Sequence, residues 1–154
     1  MPFLLIKPEP GGHLGDHAVV DDSAEPPVAT TLHYEFDWWL GDDLVGSPPF
    51  FVVTNRLKRA LTELTGATGF ELDQVKVSTS AFFRGTNPRR KLPRFWWLKV
   101  HGRAGKDDMG LASEHSLVVS GRAFAVLLSH TIEQAEIAQY GSPKGQKSGG
   151  PPAQ

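Results

Sequence analysis

The sequence FVVTNRLKRAL at residues 51–61 decides the fold, because a closely similar segment, LVVSGRAFAVL, follows at residues 117–127. An offset of 66 positions aligns Thr54 with Ser120 and also brings an arginine of each segment into register. The chain therefore uses one structural unit twice.

The repeated segment has a direct physical interpretation as a strand followed by a helix. A β-branched run favours a strand, and the hydroxyl residue after it can cap a helix by accepting a backbone N–H of the first turn. In the first copy Leu57, Leu61 and Leu64 then recur at helical spacing and form one apolar stripe. We therefore predict a strand–cap–helix unit at residues 51–64 and again at residues 117–130, with both helices lying on a sheet.

An acidic pair precedes each copy of the repeat, at an offset of 65 positions. The pairs are Asp42-Asp43 and Asp107-Asp108. Carboxylates beside glycines could bind calcium or magnesium, but the spacing and terminal glutamate of an EF-hand are absent. Turn and capping roles are therefore favoured for these four residues.

Length and composition indicate a single domain. A chain of 154 residues can bury a core without covalent staples, and the absence of cysteine excludes disulfides and cysteine-based zinc sites. No apolar run approaches the roughly 20 residues of a membrane span, and the N-terminus lacks the pattern of a signal peptide. We expect a cytoplasmic protein that does not insert into a membrane.

The predicted fold class is α+β, in one domain with a mainly antiparallel or mixed sheet and two helices from the duplicated unit. Phe3–Ile6 could form a first strand, and residues 11–30 are rich in Gly, Pro and Asp. Residues 1–30 together are predicted to be an extended or loosely ordered N-terminal segment. Residues 31–140 are predicted to form the domain, and residues 141–154 a disordered tail. The strongest strand candidate is 95–100, whose adjacent apolar residues predict a central strand that is covered on both faces.

Charge is unevenly distributed although the net charge is only −1. Residues 1–50 contain nine acidic residues and one lysine, whereas residues 51–110 contain twelve basic and five acidic residues. Such asymmetry means either that the two regions neutralise each other within the fold or that opposite faces present different potentials to partners.

Two segments superficially suggest chemistry. His13, Asp16 and His17 have a spacing that could bind a divalent ion on a helix, but they lie among glycines, which favours a solvated loop. Ser120 follows a strand as some nucleophilic serines do, but the G-x-S-x-G pattern is missing and Thr54 occupies the equivalent position, which favours a capping role. We predict no catalytic residue, no bound metal and no cofactor.

Basic and aromatic residues alternate along residues 82–97. This composition can bind nucleic acid through phosphate contacts and base stacking. A buried strand explains the aromatic residues at 95–97 better, and the pI of about 6.6 is low for a nucleic-acid-binding domain. Nucleic acid is therefore an alternative partner and not the favoured one.

A protein is another possible partner, because tryptophan is enriched among the residues that dominate protein interfaces. Trp38 and Trp39, beside an acidic turn, could anchor such a partner, with core packing as the alternative. The candidate partner-binding residues are Trp38, Trp39, Asp42, Asp43, Arg89, Arg90, Arg94, Asp107 and Asp108.

Three segments resemble small proteins of high-GC bacteria: LHYEFDWWLGDDLV at residues 32–45, LPRFWWL at residues 92–98, and DDMGL with LVVS within residues 107–120. Through them the chain resembles a family of predicted immunity proteins of bacterial polymorphic toxin systems, typified by a myxobacterial domain. The likeness covers about residues 30–140, and Met109 stands where an aromatic residue is expected.

The resemblance implies a non-catalytic protein that binds and neutralises a cognate toxin in the cytoplasm. A negative face from residues 35–43 or a positive face from residues 84–94 could cover the toxin's active site. The alternatives are a nucleic-acid-binding module that uses residues 82–97 and a structural subunit of a larger bacterial assembly. The sequence leaves the oligomeric state open.

Overall fold

Two four-stranded sheets, each built around one copy of the repeat, form the centre of the fold in the computed structural model, which describes residues 2–141. The strands are β1 (Phe3–Lys7), β2 (Gly12–Leu14), β3 (Val19–Asp21), β4 (Val28–Thr31), β5 (His33–Phe36), β6 (Leu44–Ser47), β7 (Phe50–Thr54), β8 (Phe70–Asp73), β9 (Lys76–Thr79), β10 (Phe95–Val100), β11 (Met109–Leu111), β12 (Leu117–Val119) and β13 (Glu136–Tyr140). The helices are α1 (Asn55–Thr62), α2 (Ala81–Thr86) and α3 (Gly121–Leu128), with a 3₁₀ helix at Ser113–His115. The predicted α+β class and the two helices of the duplicated unit are confirmed.

The two central sheets have equivalent strand orders and registers. One has the order β6-β7-β10-β8 and the other β11-β12-β1-β13. Leu44 lies opposite Val53 in the first sheet, and the equivalent residues Met109 and Val119 lie opposite each other in the second. The sequence repeat is therefore a repeat of tertiary structure, and the units that contain α1 and α3 are called unit 1 and unit 2.

The third strand of each sheet comes from the segment that precedes the other unit in the sequence. In unit 1, β10 pairs with β7 and places Leu98 opposite Phe51. In unit 2, β1 pairs with β12 and places Ile6 opposite Leu117, which is equivalent to Phe51. Since β1 precedes unit 1 in the sequence and β10 precedes unit 2, the two units exchange this strand and cannot be separated along the chain.

The N-terminal segment therefore differs from the expectation for residues 1–30. It contains four strands, and β1 lies between β12 and β13 with Ile6 only 1% exposed. A domain boundary at residue 31 would remove the middle of the second sheet. The predicted tail, beyond Gly141, lies outside the described residues.

Helix capping follows the prediction in both units. Thr54 Oγ1 accepts the backbone N–H of Leu57, and Ser120 Oγ accepts that of Ala123 at 3.2 Å. Each hydroxyl thus satisfies one N–H that the first turn leaves without a helical partner.

The main core lies between the two sheets and the helices α1 and α3, and its residues come in equivalent pairs. The buried pairs are Leu44 and Met109, Phe51 and Leu117, Val53 and Val119, Leu57 and Ala123, Leu61 and Leu127, and Leu98 and Ile6. Burying this many apolar side chains is the main driving force that is available for folding.

A second core covers the outer face of the unit 1 sheet. Strand β10 alternates, so Phe95 and Trp97 belong to this second core while Leu98 belongs to the main one. The opposing layer contains the β2-β5-β9 sheet, in which β5 and β9 are parallel, and Phe83 of α2. The predicted central strand with two covered faces is confirmed, and helix α2 was not predicted.

Among residues 2–141, no helix is both long enough and apolar enough to cross a membrane.

Replacing Ile6 with alanine is expected to lower the free energy of unfolding by about 2–5 kcal/mol, because the substitution leaves a cavity beside the central strand of the second sheet. Leu14→Ala, in β2, is the control and should cost much less, since Leu14 is 36% exposed. Chemical denaturation followed by tryptophan fluorescence measures both values. Equal costs would contradict the central position of β1.

Candidate partner-binding surface

A buried carboxylate, Asp43, fixes the start of α1. Thr54 Oγ1 donates to Asp43 Oδ1 at 2.5 Å, and Arg56 donates to the two carboxylate oxygens through Nε at 2.8 Å and Nη2 at 2.7 Å. The backbone N–H of Thr54 also donates to the Asp43 carbonyl at 2.9 Å. These contacts join the start of β6, the end of β7 and the first turn of α1.

Asp108 does the same in unit 2. Ser120 Oγ donates to Asp108 Oδ1 at 2.6 Å, and Arg122 donates to the carboxylate through Nε at 3.0 Å and Nη2 at 2.9 Å. The backbone N–H of Ser120 donates to the Asp108 carbonyl at 2.8 Å. The aspartate, the hydroxyl residue and the arginine of the repeat therefore form a cluster with the same hydrogen-bonding arrangement in each unit.

Each carboxylate also binds the segment that follows the helix of the other unit. The backbone N–H of Thr131, after α3, donates to Asp43 Oδ2 at 2.8 Å. The backbone N–H of Thr68, after α1, donates to Asp108 Oδ2 at 3.0 Å. The two clusters thus connect the units in both directions.

The arginines add to these connections between the units. Arg56 Nη2 donates to Thr131 Oγ1 at 3.2 Å, and Arg122 Nη1 donates to the Thr65 carbonyl at 2.8 Å. Thr65 and Thr131 are separated by the 66 positions of the repeat. Each arginine therefore contacts the equivalent threonine of the other unit, Arg56 at the side-chain hydroxyl and Arg122 at the backbone carbonyl.

Hydrogen bonding keeps both carboxyl groups ionised. Burial favours a higher pKa for Asp43, but hydrogen bonds from Arg56 and from the hydroxyl and backbone donors outweigh it and lower the pKa. In unit 2 the Arg122 guanidinium, opposed by burial, holds the pKa of Asp108 well below its usual range. Both clusters are consequently charged at neutral pH.

The other two aspartates also have partners within the chain. Asp42 is 1% exposed and accepts the backbone N–H groups of Glu133 at 3.1 Å and Gln134 at 2.9 Å, and its burial raises its pKa. Asp107 is half-buried and accepts the backbone N–H of Arg103 at 2.6 Å. Asp42, Asp43 and Asp108 are buried and bonded within the chain, which argues against their predicted contact with a partner, whereas a contact through the half-buried Asp107 stays a prediction.

Trp39 is held in the surface and carries a cation on its ring. Its Nε1 donates to the Asp42 carbonyl at 2.8 Å, and its ring packs edge-on against Phe95 with centroids 6.0 Å apart. The guanidinium carbon of Arg90 lies 4.7 Å from the ring centroid. Leu40, the next residue, is 59% exposed.

Trp96 is arranged in the same way. Its Nε1 donates to Asn55 Oδ1 at 2.9 Å, so the first residue of α1 fixes the indole. Arg94 and Lys58 both lie over the ring, with Cζ at 4.2 Å and Nζ at 4.5 Å from the centroid. The backbone N–H of Asn55 donates to the Arg94 carbonyl at 2.9 Å, which ties the loop before β10 to the helix start.

We call these five residues, Trp39, Lys58, Arg90, Arg94 and Trp96, the Trp–Arg surface. It consists of two groups near the start of β10: Trp39 with Arg90 packs against the second core, and Trp96 with Arg94 and Lys58 packs against the main core. Within residues 2–141, no carboxylate lies within 4.0 Å of the basic groups of this surface, whereas Arg56 and Arg122 are neutralised by their aspartates. Its cations thus lie over aromatic rings and form no ion pair within residues 2–141.

The sequence prediction found part of this surface. Arg90, Arg94 and Trp39 are predicted contacts and lie in it. Arg89 is exposed, and Trp38 is half-buried with no guanidinium over its ring among residues 2–141. Trp96 was assigned to the buried strand, and Lys58 and Asn55 were not considered. Asn55 and Lys58 lie in the first turn of a capped helix, and a tryptophan-rich strand follows later in the sequence. This combination is the signal that could have predicted their contacts with Trp96.

The N-terminal histidines pair with carboxylates or lie exposed at the surface. His13 binds Asp37 through Nδ1 at 3.0 Å and lies 3.6 Å from Glu35, while Asp16 and His17 are exposed. No group of three potential ligands is placed to hold a metal ion within residues 2–141. His13 thus lies in strand β2 and not in the predicted loop, whereas Asp16 and His17 lie in the turn that follows.

A buried histidine was not singled out from the sequence. His33 is 3% exposed, and its Nδ1 accepts the backbone N–H of His17 at 3.0 Å. Its Nε2 therefore carries the proton and donates to Ser78 Oγ at 2.7 Å, and Ser78 donates to Glu35 Oε1 at 3.0 Å. A base that activates a serine accepts the proton of the serine hydroxyl, whereas His33 donates a proton to Ser78 and the Ser78 hydroxyl donates to Glu35. The network is therefore structural.

An apolar cleft of about 500 Å³ lies on the outer side of the unit 1 sheet. Its walls include Pro26, Phe50 and Trp97, and its polar groups include the pair His101 and Glu71, whose side chains are 3.6 Å apart. Both side chains of that pair are more than half exposed. The cleft therefore lacks the buried acid or base that is typical of an active site.

No protein-family model, curated protein or solved structure matches the chain. The assignment of a functional surface therefore rests on the geometry described above.

Replacing Asp43 or Asp108 with asparagine is expected to lower the free energy of unfolding at neutral pH by about 2–4 kcal/mol, because buried donors lose a charged acceptor. Since both folded pKa values are lowered, each carboxylate contributes fully above the unfolded pKa of about 3.9 and loses its contribution as pH falls toward the folded pKa. Denaturation at several pH values measures the difference from wild type.

That difference should shrink as the pH falls from about 6 to about 2.5. Asp22→Asn, at an exposed position, is the control and should stay within about 0.5 kcal/mol of wild type. A difference for Asp43→Asn and Asp108→Asn that is constant over this pH range would contradict the ionised clusters.

Proposed function

We propose that this protein is a non-catalytic binding protein of the cytoplasm that neutralises a cognate protein toxin, and that it contacts the toxin through the Trp–Arg surface. The observation that carries the proposal is the set of uncompensated cations stacked on two fixed tryptophans. The resemblance to predicted immunity proteins supports the kind of partner.

The rigidity of the surface supports binding to a protein. Both indole N–H groups have partners, so neither Trp39 nor Trp96 needs to be ordered when a partner arrives. The Asp43 cluster lies directly beneath, since it fixes the start of α1 that carries Asn55 and Lys58. Binding to preorganised side chains costs less conformational entropy, and tryptophan and arginine are the residues that most often dominate protein interfaces.

The charge of the surface supports an acidic partner region. Arg90 and Arg94 present guanidinium groups that can bind carboxylates in a bidentate manner, and Lys58 adds a third cation. Arg89 and Lys91, which are exposed nearby in the sequence, extend the positive potential. Complementary charge would also speed the encounter of an immunity protein with its toxin.

A nucleic acid is the less favoured partner. Base stacking requires an aromatic face, and each tryptophan ring already carries at least one cation within 5 Å of its centroid. A phosphate backbone would have to bind these cations while leaving the rings covered. Acidic side chains can bind the cations without displacing them.

The internal bonding of the hydroxyl and carboxyl groups supports a role without catalysis. Ser120 and Thr54 donate to aspartates, and Ser78 donates to Glu35, so these hydroxyls are used in structural contacts. Binding alone is sufficient to neutralise a toxin.

The test is affinity for the product of the adjacent toxin-like gene, measured by calorimetry with purified proteins. The double variant Arg90→Glu, Arg94→Glu is expected to weaken binding at least about 100-fold, because two interface cations become anions. The matched control is Arg103→Glu with Lys106→Glu, which makes the same charge change at exposed positions outside the surface and should change affinity by less than about threefold.

Equal losses in the two double variants would mean that only net charge matters and would contradict the assigned surface. Absence of any complex with a toxin whose activity has been verified would contradict the proposed function. Tighter binding to a single-stranded oligonucleotide than to the toxin, with affinity falling steeply as salt rises, would support the nucleic-acid alternative instead.

A further inference from the structure

The two units can be compared position by position, because their sheets and helices are equivalent. On the solvent side of α1 stand Lys58, Arg59 and Thr62. The equivalent residues of α3, 66 positions later, are Phe124, Ala125 and Leu128. Leu128 is 57% exposed. The outer side of α3 has therefore lost the polar residues that keep a surface helix soluble in unit 1.

The edge strands of the two sheets show the same difference. The register with β10 and β1 makes Leu72 of β8 equivalent to Ile137 of β13, and Asp73 equivalent to Ala138. Ile137 is 43% exposed and Ala138 is also exposed. Strand β8 thus carries acidic residues on both sides of Leu72, whereas β13 has only Glu136 as a charged residue.

Strand β13 offers a free edge next to this apolar helix surface. Among residues 2–141 it pairs only with β1, so its outer N–H and C=O groups face away from the sheet. Helix α3 packs against β1, and Ile137 lies beside Ile6, which belongs to the same core as Leu127 of α3. Ile137 and the outer residues of α3 therefore lie on one side of the sheet.

We propose that α3 and β13 form a homodimer interface, in which β13 pairs antiparallel with β13 of a second copy about Ala138. A two-fold axis through this pairing joins the two unit 2 sheets into one and leaves α3 of both copies on the same side. Leu128 and Ile137 of the two copies are then brought toward each other. This inference does not depend on the proposed function, because the Trp–Arg surface belongs to unit 1.

Charge and composition favour a second copy as the occupant of this interface. Antiparallel pairing about Ala138 places Glu136 opposite Tyr140 and Ile137 opposite Gln139, so no like charges meet. The same pairing of β8, about the equivalent residue Asp73, would place the Asp73 side chains of the two copies opposite each other, which is unfavourable. The remaining chain, residues 142–154, contains no large apolar residue that could cover the α3 side chains.

The mass of the protein in solution tests the inference. Light scattering coupled to size exclusion at about 100 μM should give about twice the chain mass of 16.8 kDa for the wild type. Leu128→Arg combined with Ala138→Asp, which restores the acidic residue of the equivalent strand, should weaken dimerisation at least tenfold and yield the monomer mass. Thr62→Arg, at the position equivalent to Leu128, is the matched control and should remain dimeric.

A wild-type monomer at this concentration would overturn the inference, and so would a dimer that the Leu128→Arg, Ala138→Asp variant leaves intact. Circular dichroism and the unfolding midpoint must match wild type for that variant, so that loss of the dimer is not loss of the fold. Ala138→Cys supplies an independent reading, since the chain has no other cysteine.

Opposed residues at the centre of an antiparallel pair have Cβ atoms about 4.5–5.5 Å apart, close enough for a disulfide to form with small adjustment. Oxidised Ala138→Cys should therefore run as a covalent dimer, and Asp73→Cys, at the equivalent position of β8, should remain a monomer on a non-reducing gel. Equal cross-linking of the two variants would contradict pairing through β13.

Discussion

The structure depends on two buried aspartates that must be ionised and fully bonded. Asp43 and Asp108 each accept bonds from a hydroxyl, a guanidinium and a backbone N–H that belongs to the other unit. An ionised carboxylate without these donors would be costly at such depth, so the two units must meet in one arrangement for both groups to be satisfied. The exchange of β1 and β10 between the sheets imposes the same condition through the backbone.

This shared framework leaves the outer surfaces free to differ. In unit 1 the start of α1 and the loop before β10 carry stacked tryptophans and unpaired cations. In unit 2 the equivalent helix is apolar outside and lies beside an unpaired strand edge. One framework thus supports a charged surface suited to an unlike partner and an apolar surface suited to a like one.

The sequence predicted the local structure well because the repeat carries its own signals. The β-branched run, the hydroxyl cap and the apolar stripe depend only on residues that are close in sequence. Thr54 and Ser120 cap their helices as expected. Helix α2 escaped prediction because six residues that include Gly85 show no helical period. Strand β1 was recognised as a possible strand, but no periodicity reveals which strand is its partner.

The site was predictable only in part, for a similar reason. Arg90, Arg94 and Trp39 stand out by composition, but a cation over a ring depends on which loops meet in space. The acidic pairs are equally conspicuous, and the sequence allows either turn and capping roles or contact with a partner, whereas the structure places the arginine of the same repeat beside Asp43 and Asp108. An arginine that recurs with an aspartate at fixed offsets is as consistent with an internal ion pair as with a binding surface.

Native-state hydrogen exchange on the Asp43→Asn variant tests the coupling of the two units most directly. The account predicts that amides of Thr131, Glu133 and β13, all in unit 2, lose protection together with those of α1 and β7, although the substitution lies in unit 1. The opening free energy in both units should fall by a similar amount, about 2–4 kcal/mol. Loss of protection confined to unit 1, with β13 unchanged, would contradict the account.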